Sequence, residues 1–310
     1  KATFTISPKI RIADEQVPLT LADEFYADPV NSSIKYPSDI YLPKPGFDVV
    51  FRGSAYAPGE QPVPALMAQL IFQNSQLQMR VSGDRVWSNG RPTAPQPFLS
   101  MPLLYESAYG GVHHFKSQEP MGPKSCVYVP ENPVGQGFAG KRKEKEVEGL
   151  PVPNLENPQQ LLHLFGDKST PICWGAIAPS WVARSRYAGT YDEQWQQSIA
   201  PALPQNFDER FFHVGSSGLS FPQAKIQGGE SVRLINLAPE SDIAFNVPAC
   251  PLDVSVSLMG GVHSVPVDVE TLLIEPDENR FCLTWKGVFP CERKATLVEG
   301  VNVNFARYNG

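Results

Sequence analysis

Gly135-Gln136-Gly137-Phe138-Ala139-Gly140 spells GxGxxG, and Glu156 follows at roughly the spacing of a ribose-binding acid. That motif holds a dinucleotide only where a strand runs straight into the turn and an apolar-faced helix leaves it, so that the helix N-terminus meets the pyrophosphate. Here Pro130 and Pro133 precede the glycines, and KRKEKEVE (141–148) follows with almost no apolar face. The context fails, and no cofactor is expected. His113-His114 suggests a metal, but adjacent residues of a strand point to opposite faces. His163, His213 and His263 are isolated, and no HxxxH or HExxH occurs, so no metal is expected either. Gly215-Ser216-Ser217-Gly218 is not a GxSxG elbow and reads as a loop. Asp192-Glu193 and Asp208-Glu209 are carboxylate pairs that a glycosidase could use if they faced each other across a cleft. Asp208-Glu209-Arg210 reads more simply as an ion pair holding loop backbone. No catalytic residue is singled out.

The aromatics are the remaining chemical feature. Trp174, Trp181, Tyr187, Tyr191 and Trp195 crowd into a Pro/Gly-rich segment, and Phe207, Phe211 and Phe212 follow. Rigid aromatics in ordered loops can anchor a partner or line a sugar cleft. They can equally form the core of an irregular segment that lacks Leu and Val, because they bury the most area per residue.

The elements that position these residues are mostly strands. TFTISPKIRI (within 2–12), FDVVFRGSAY (47–56), ALMAQLIF (65–72) and QLQMRVSGDRVW (76–87) alternate apolar and polar residues, and Asn89-Gly90 offers a turn. From 116 to 219 the alternation fades; helices are expected at 157–164, with Pro158 at its first position, and at about 190–198. Strands return at 231–238, 242–248, 252–259, 265–276, 279–289 and 296–308, with a turn at PCERKA (290–295). The expected fold is mainly β. Two antiparallel β-sandwich or barrel-like units, 1–115 and 220–310, flank a Pro/Gly-rich, largely irregular middle segment, 116–219, with a few short helices packed across both. A middle of that length exceeds a passive linker.

Composition narrows the function classes. The 310 residues are 42% hydrophobic and 19% charged, with net charge −6 and 31 Pro. This is enough apolar content for a core, and it is not the composition of a disordered chain. Mild acidity without basic clusters argues against nucleic acid and anionic membranes as partners. The charge run at 141–148 alternates in sign and reads as solvated. No apolar stretch is long enough to span a bilayer, and the start, KATFTISPKIRI, has no signal-peptide h-region. Five cysteines at irregular spacing, without CxxC, suit reduced thiols in a cytoplasm.

Longer motifs point further. YPSDIYLPKPGFDVVFRGSAYAPG (36–59), VSGDRVW (81–87), LLYESAYGG (103–111), NPVGQGF (132–138) and LPVPNLENP (150–158) come first. WGAIAPSWVARSRYAGTYDEQW (174–195), LPQNFDERFF (203–212) and IQGGESVRLINL (226–237) follow in order. This set resembles a bacterial family, once labelled only as a domain of unknown function, of adaptors encoded beside the VgrG spike proteins and PAAR-domain effectors of type VI secretion. The resemblance covers about residues 5–290. It implies a non-enzymatic chaperone of a Gram-negative cytoplasm. Such a protein binds the PAAR-containing N-terminal region of an effector, helps load it onto VgrG, directly or through the effector, and does not travel with the spike. The competing class is a carbohydrate-active enzyme or sugar-binding β-sandwich protein.

Under the adaptor reading, the middle segment supplies or frames the partner site. The candidate contacts are Tyr105, Glu106, Phe138, Asn154, Glu156, Trp181, Arg184, Tyr191, Asp192, Trp195, Phe207, Asp208 and Arg210. A second mode is strand addition to an open sheet edge, for which the C-terminal strands, including 252–259, are the candidates.

Overall fold

A computed structural model describes residues 1–5, 18–115, 125–249, 251–290 and 297–305. Parts of three expected elements lie outside the described residues: 6–12 of the first strand, nearly all of the 290–295 turn, and the ends of the last strand. Cys250 and Cys291 lie outside them too.

The chain is mainly β, and two five-stranded sheets carry the fold. The first runs, in spatial order, Ala2–Thr5, Arg280–Gly287, Val267–Glu275, Phe47–Phe51 and Ser220–Phe221. The second runs Leu155–Glu156, Ser75–Ser82, Ala65–Phe72, Ser231–Ile235 and Asp242–Asn246. All these pairings are antiparallel except Val267–Glu275 with Phe47–Phe51, which is parallel.

Residues 1–115 and 220–310 therefore do not form separate sheets, as the sequence suggests; each five-stranded sheet draws strands from both ends of the chain. The reason is physical. Alternation reports that a strand has one buried face, but it does not say which strand lies beside it.

Ala65–Phe72 shows the local rule. Leu66, Ala68, Leu70 and Phe72 point inward and their neighbours outward. The two sheets share one core. Phe47 of the first meets Phe72 of the second edge-on at 5.7 Å, and Phe245 of the second stacks on Phe281 of the first at 5.0 Å. Each such side chain contributes about 1.5–3 kcal/mol on burial. Asn89 and Gly90, both at positive φ (50° and 72°), close the hairpin from Arg85–Ser88 to Arg91–Pro92, as their types predict.

Phe47–Phe51 is buried on both faces. Its inner residues join the core, while Asp48 lies on the other face, opposite Thr271 in the parallel register. There Lys44 Nζ meets Asp48 Oδ2 at 2.5 Å, with both side chains wholly buried, and His213 Nδ1 lies 2.8 Å from Asp48 Oδ1. The Val214 N–H also donates to Asp48 at 2.8 Å, and so one carboxylate ties the 44, 48 and 213–214 backbones together. Farther along, Glu275 accepts from Arg52 Nε at 2.7 Å, Arg280 Nε at 2.8 Å and the Tyr36 hydroxyl at 3.1 Å.

A smaller core of Trp87, Tyr109, Val129, Val147, Val152 and Leu162 lies under the middle segment. The helix expected at 157–164 is a turn. Asn157 stands where an N-cap would, before Pro158, and its Oδ1 accepts from Gln159 N at 3.0 Å, a bond that a helix start would keep. The Leu162 N–H, which a helix would pair with the Pro158 carbonyl, goes instead to Glu156 Oε1 at 3.0 Å. The expected helix near 190–198 forms as Glu193–Ser198, capped by Asp192.

A third sheet, of three strands, sits at the C-terminal end: Gly261–Val265, Leu252–Leu258 and Val298–Phe305. Leu252–Leu258 is its central strand, not an edge. Among the described residues, the open edges belong to the two flanking strands.

Candidate partner-binding surfaces

Twelve of the thirteen residues expected at the site fall into three groups. Several hold the interior. Tyr105 is buried, directs its hydroxyl to the Cys173 and Gly175 carbonyls, and meets buried Trp181 edge-on at 4.8 Å. Burial pushes the Tyr105 phenol well above its ordinary pKa. Buried Asn154 donates to the Ser82 carbonyl at 3.1 Å and to Asp84 at 3.0 Å. Glu156 pairs with Arg85 at 2.6 Å and is itself 1% exposed.

Others fasten loops. Glu106 accepts from the Ser33 N–H and hydroxyl at 2.7 and 2.8 Å. Phe138 packs half-buried on the smaller core. Asp208 accepts from Arg210 N and chelates the Arg210 guanidinium, so this carboxylate serves the loop in the way its spacing suggests. Phe207, Phe211 and Phe212 contact one another at 5.4–5.7 Å and stay partly exposed.

A third group faces solvent. Tyr191 is 52% exposed and meets Trp195 edge-on at 4.7 Å. Trp195 Nε1 donates to the Ala202 carbonyl at 2.9 Å. Asp192 accepts from Trp195 N at 2.9 Å. The aromatic run thus divides: Trp174 and Trp181 are core, while exposed Tyr191 and half-buried Trp195 form an arm at the surface. Arg184 stands apart as a buried cation that donates to the Phe211 and Ile177 carbonyls at 2.9 and 2.8 Å and packs on the Phe211 ring.

The GxGxxG glycines are explained by packing. A side chain at Gly135 would run into Asn132 and the Ala108 carbonyl, and one at Gly137 into Pro153. Gln136–Gly137, a two-residue strand inside the motif, pairs in parallel with Tyr109–Gly110, and the helix that follows, Glu144–Val147, is a single four-residue turn that starts four residues past the last glycine, so the motif does not lead from a strand into a helix N-terminus. Among the described residues, no group of three or more His, Cys, Asp or Glu is placed to hold a metal, and no helix is long and apolar enough to cross a membrane.

The C-terminal strands, one of two binding modes that the sequence leaves open, present a definite surface. Register places Phe305, Val303 and Val301 opposite Leu252, Val254 and Val256. Residues directly opposite share a face, so this face is apolar, while Asp253, Ser255, Ser257, Asn302 and Asn304 occupy the other. Val256 and Val265 are buried, yet Val301, Val303 and Phe305 are 57%, 53% and 41% exposed. A groove of about 330 Å³ runs beside the sheet, lined by Ile226, Leu252, Val267, Val269, Leu283 and Trp285 together with Gln227 and Asp268. Phe305 reaches Trp285 edge-on at 6.3 Å, which joins sheet and groove. The V-N-V-N-F alternation of 301–305 was the signal available in the sequence.

A family model described as "Uncharacterized protein conserved in bacteria (DUF2169)" matches residues 1–286. No curated protein and no solved structure matches the chain.

Proposed function

The chain belongs to this bacterial family, DUF2169, whose model matches residues 1–286, and we propose that it is a protein-binding adaptor that captures an extended partner segment on its C-terminal sheet. The observation that carries this reading is the half-covered apolar face of Leu252–Leu258 and Val298–Phe305 beside a strand edge that is open among the described residues. Exposed apolar area of this kind favours association. An unpaired edge offers a row of backbone donors and acceptors to an added strand. Partner residues alternating with period two would place every second side chain over Val301 and Val303 or into the groove.

The partner's identity follows from the resemblance of the ordered motifs: the PAAR-containing N-terminal region of a type VI secretion effector, delivered to VgrG. The setting is the cytoplasm of a Gram-negative bacterium, and no reaction is assigned. The arm of exposed Tyr191 and Asp192 and half-buried Trp195, together with half-buried Phe207 and Asp208 and exposed Arg210, is a secondary contact region in this reading.

Co-expression with the PAAR-containing protein encoded beside this chain tests the proposal. The expected result is a stable complex on tandem pull-down and size exclusion, with the PAAR protein insoluble or degraded when the chain is omitted. An equally soluble PAAR protein that never co-purifies would remove the adaptor role.

A further inference from the structure

Val298–Phe305 is a sheet edge of eight residues, while the other edge strands among the described residues have two to five. An edge of this length is ordinarily guarded by proline, lysine or an inward charge, which stop another strand from adding. VEGVNVNF contains no proline and no lysine. Its one charge, Glu299, lies where the register slips. Ser257 faces Gly300 and Leu258 faces Val298, so Glu299 has no residue opposite it. From Gly300 to Phe305 the edge is uncharged, and all of Val301–Phe305 is exposed.

The opposite edge of the same sheet is a poorer template. Gly261–Val265 has five residues, its last is buried, and the next is Pro266, which has no N–H to give an added strand.

The longer edge is self-complementary. Side chains alternate with period two, so an antiparallel neighbour keeps apolar beside apolar only in every second register. A two-fold axis through Val303 gives such a register. Val303 then faces Val303 of a second copy, Val301 faces Phe305, and Asn302 faces Asn304. Aromatic and β-branched residues are favoured pairs across strands, and facing asparagines can exchange amide hydrogen bonds. A slip by one residue sets valine against asparagine, and an axis through Asn302 sets Glu299 against Phe305.

We infer that Val298–Phe305 pairs with the same strand of a second copy, antiparallel about Val303, and that the two C-terminal sheets join into one of six strands. The apolar face formed by Leu252 with Phe305, Val254 with Val303 and Val256 with Val301 then continues across the axis. The contact is isologous, so each copy uses up its own edge and assembly stops at two. One strand pair is smaller than a standard interface, and the dissociation constant should be on the order of 10–100 µM. The pairing rests on the strand itself and does not depend on the adaptor reading. It covers the edge offered to the proposed partner, so the dimer and the partner-bound chain exclude each other.

Sedimentation equilibrium of the full chain alone, from about 5 to about 500 µM, tests the pairing. The expected result is a weight-average mass that rises from one chain toward two. Val303→Lys and Val303→Glu each set like charges against each other across the axis, and each should self-associate at least about tenfold more weakly. Val303 is 53% exposed, so neither change should disturb the fold. An equimolar mixture of the two sets lysine against glutamate and should recover the association, which a misfolded variant could not do. A wild-type chain that stays monomeric throughout overturns the inference and leaves capture of a partner strand as proposed. Association that neither charge weakens, or that the mixture fails to recover, also overturns it.

Discussion

Asp48→Ala is expected to cost about 3–5 kcal/mol of folding free energy, enough to unfold a marginal domain. Its carboxylate is the counter-ion of the wholly buried Lys44 ammonium and the acceptor for His213 Nδ1 and Val214 N. Removing it leaves Lys44 Nζ with the Thr271 hydroxyl at 3.3 Å as its remaining hydrogen bond, a poor substitute for a charge. Urea denaturation of the variant measures the loss, and a cost below about 1 kcal/mol would show that the pair is not what holds these segments together.

The same group sets the acid limit. Burial raises the Asp48 pKa, but Lys44 and His213 outweigh it and hold the carboxyl far below its ordinary 3.8. A depressed folded-state value means that the stabilisation is fully present above about pH 4 and is lost as pH falls below it. Glu275, lowered by Arg280 and Arg52 against its own burial, acts in the same direction. On the alkaline side, Lys44 is raised because Asp48 and Tyr41 outweigh its burial, and burial pushes the Tyr26 phenol up to about 12. Raised values contribute stability below the unfolded pKa that is lost as pH rises through the folded one, so stability should decline above about pH 10. The denaturation midpoint should form a plateau between these limits.

Trp181→Ala is expected to cost about 3–5 kcal/mol, while Tyr191→Ala should change stability by no more than about 0.5 kcal/mol. The two residues belong to one aromatic run, but Trp181 is 4% exposed against Tyr105 and the main core, whereas Tyr191 is exposed against only Trp195. Thermal or chemical unfolding separates them. Comparable losses in both variants would mean that the arm is structural, and would withdraw it as a contact region.

These pairs also show where the sequence was legible. The alternation of Ala65–Phe72 and the turn chemistry of Asn89-Gly90 are local, and both appear in the structure as read. The strand partners were not local. Phe47–Phe51 pairs with Val267–Glu275 from the far end of the chain, and nothing in either segment names the other. In place of the helix expected at 157–164, the Glu156 side chain takes the Leu162 N–H, which apolar spacing does not register.

The candidate site follows the same division. Asp208 and Arg210, two positions apart, could be paired from sequence. Asp48 and His213, 165 positions apart, could not. Whether a tryptophan is core or anchor depends on what packs over it, and composition is the same in both cases.

The C-terminal sheet is the proposed partner surface, and its most direct test is the affinity of the PAAR-containing partner for wild type and for Val301→Asp/Val303→Asp. Both side chains are exposed on one apolar face, so the variant should fold normally. A charge on the face that takes the partner should weaken binding by about thirtyfold or more, at hot-spot level. That is the expected result. Wild-type affinity in a folded Val301→Asp/Val303→Asp variant would contradict the account and move the binding surface elsewhere.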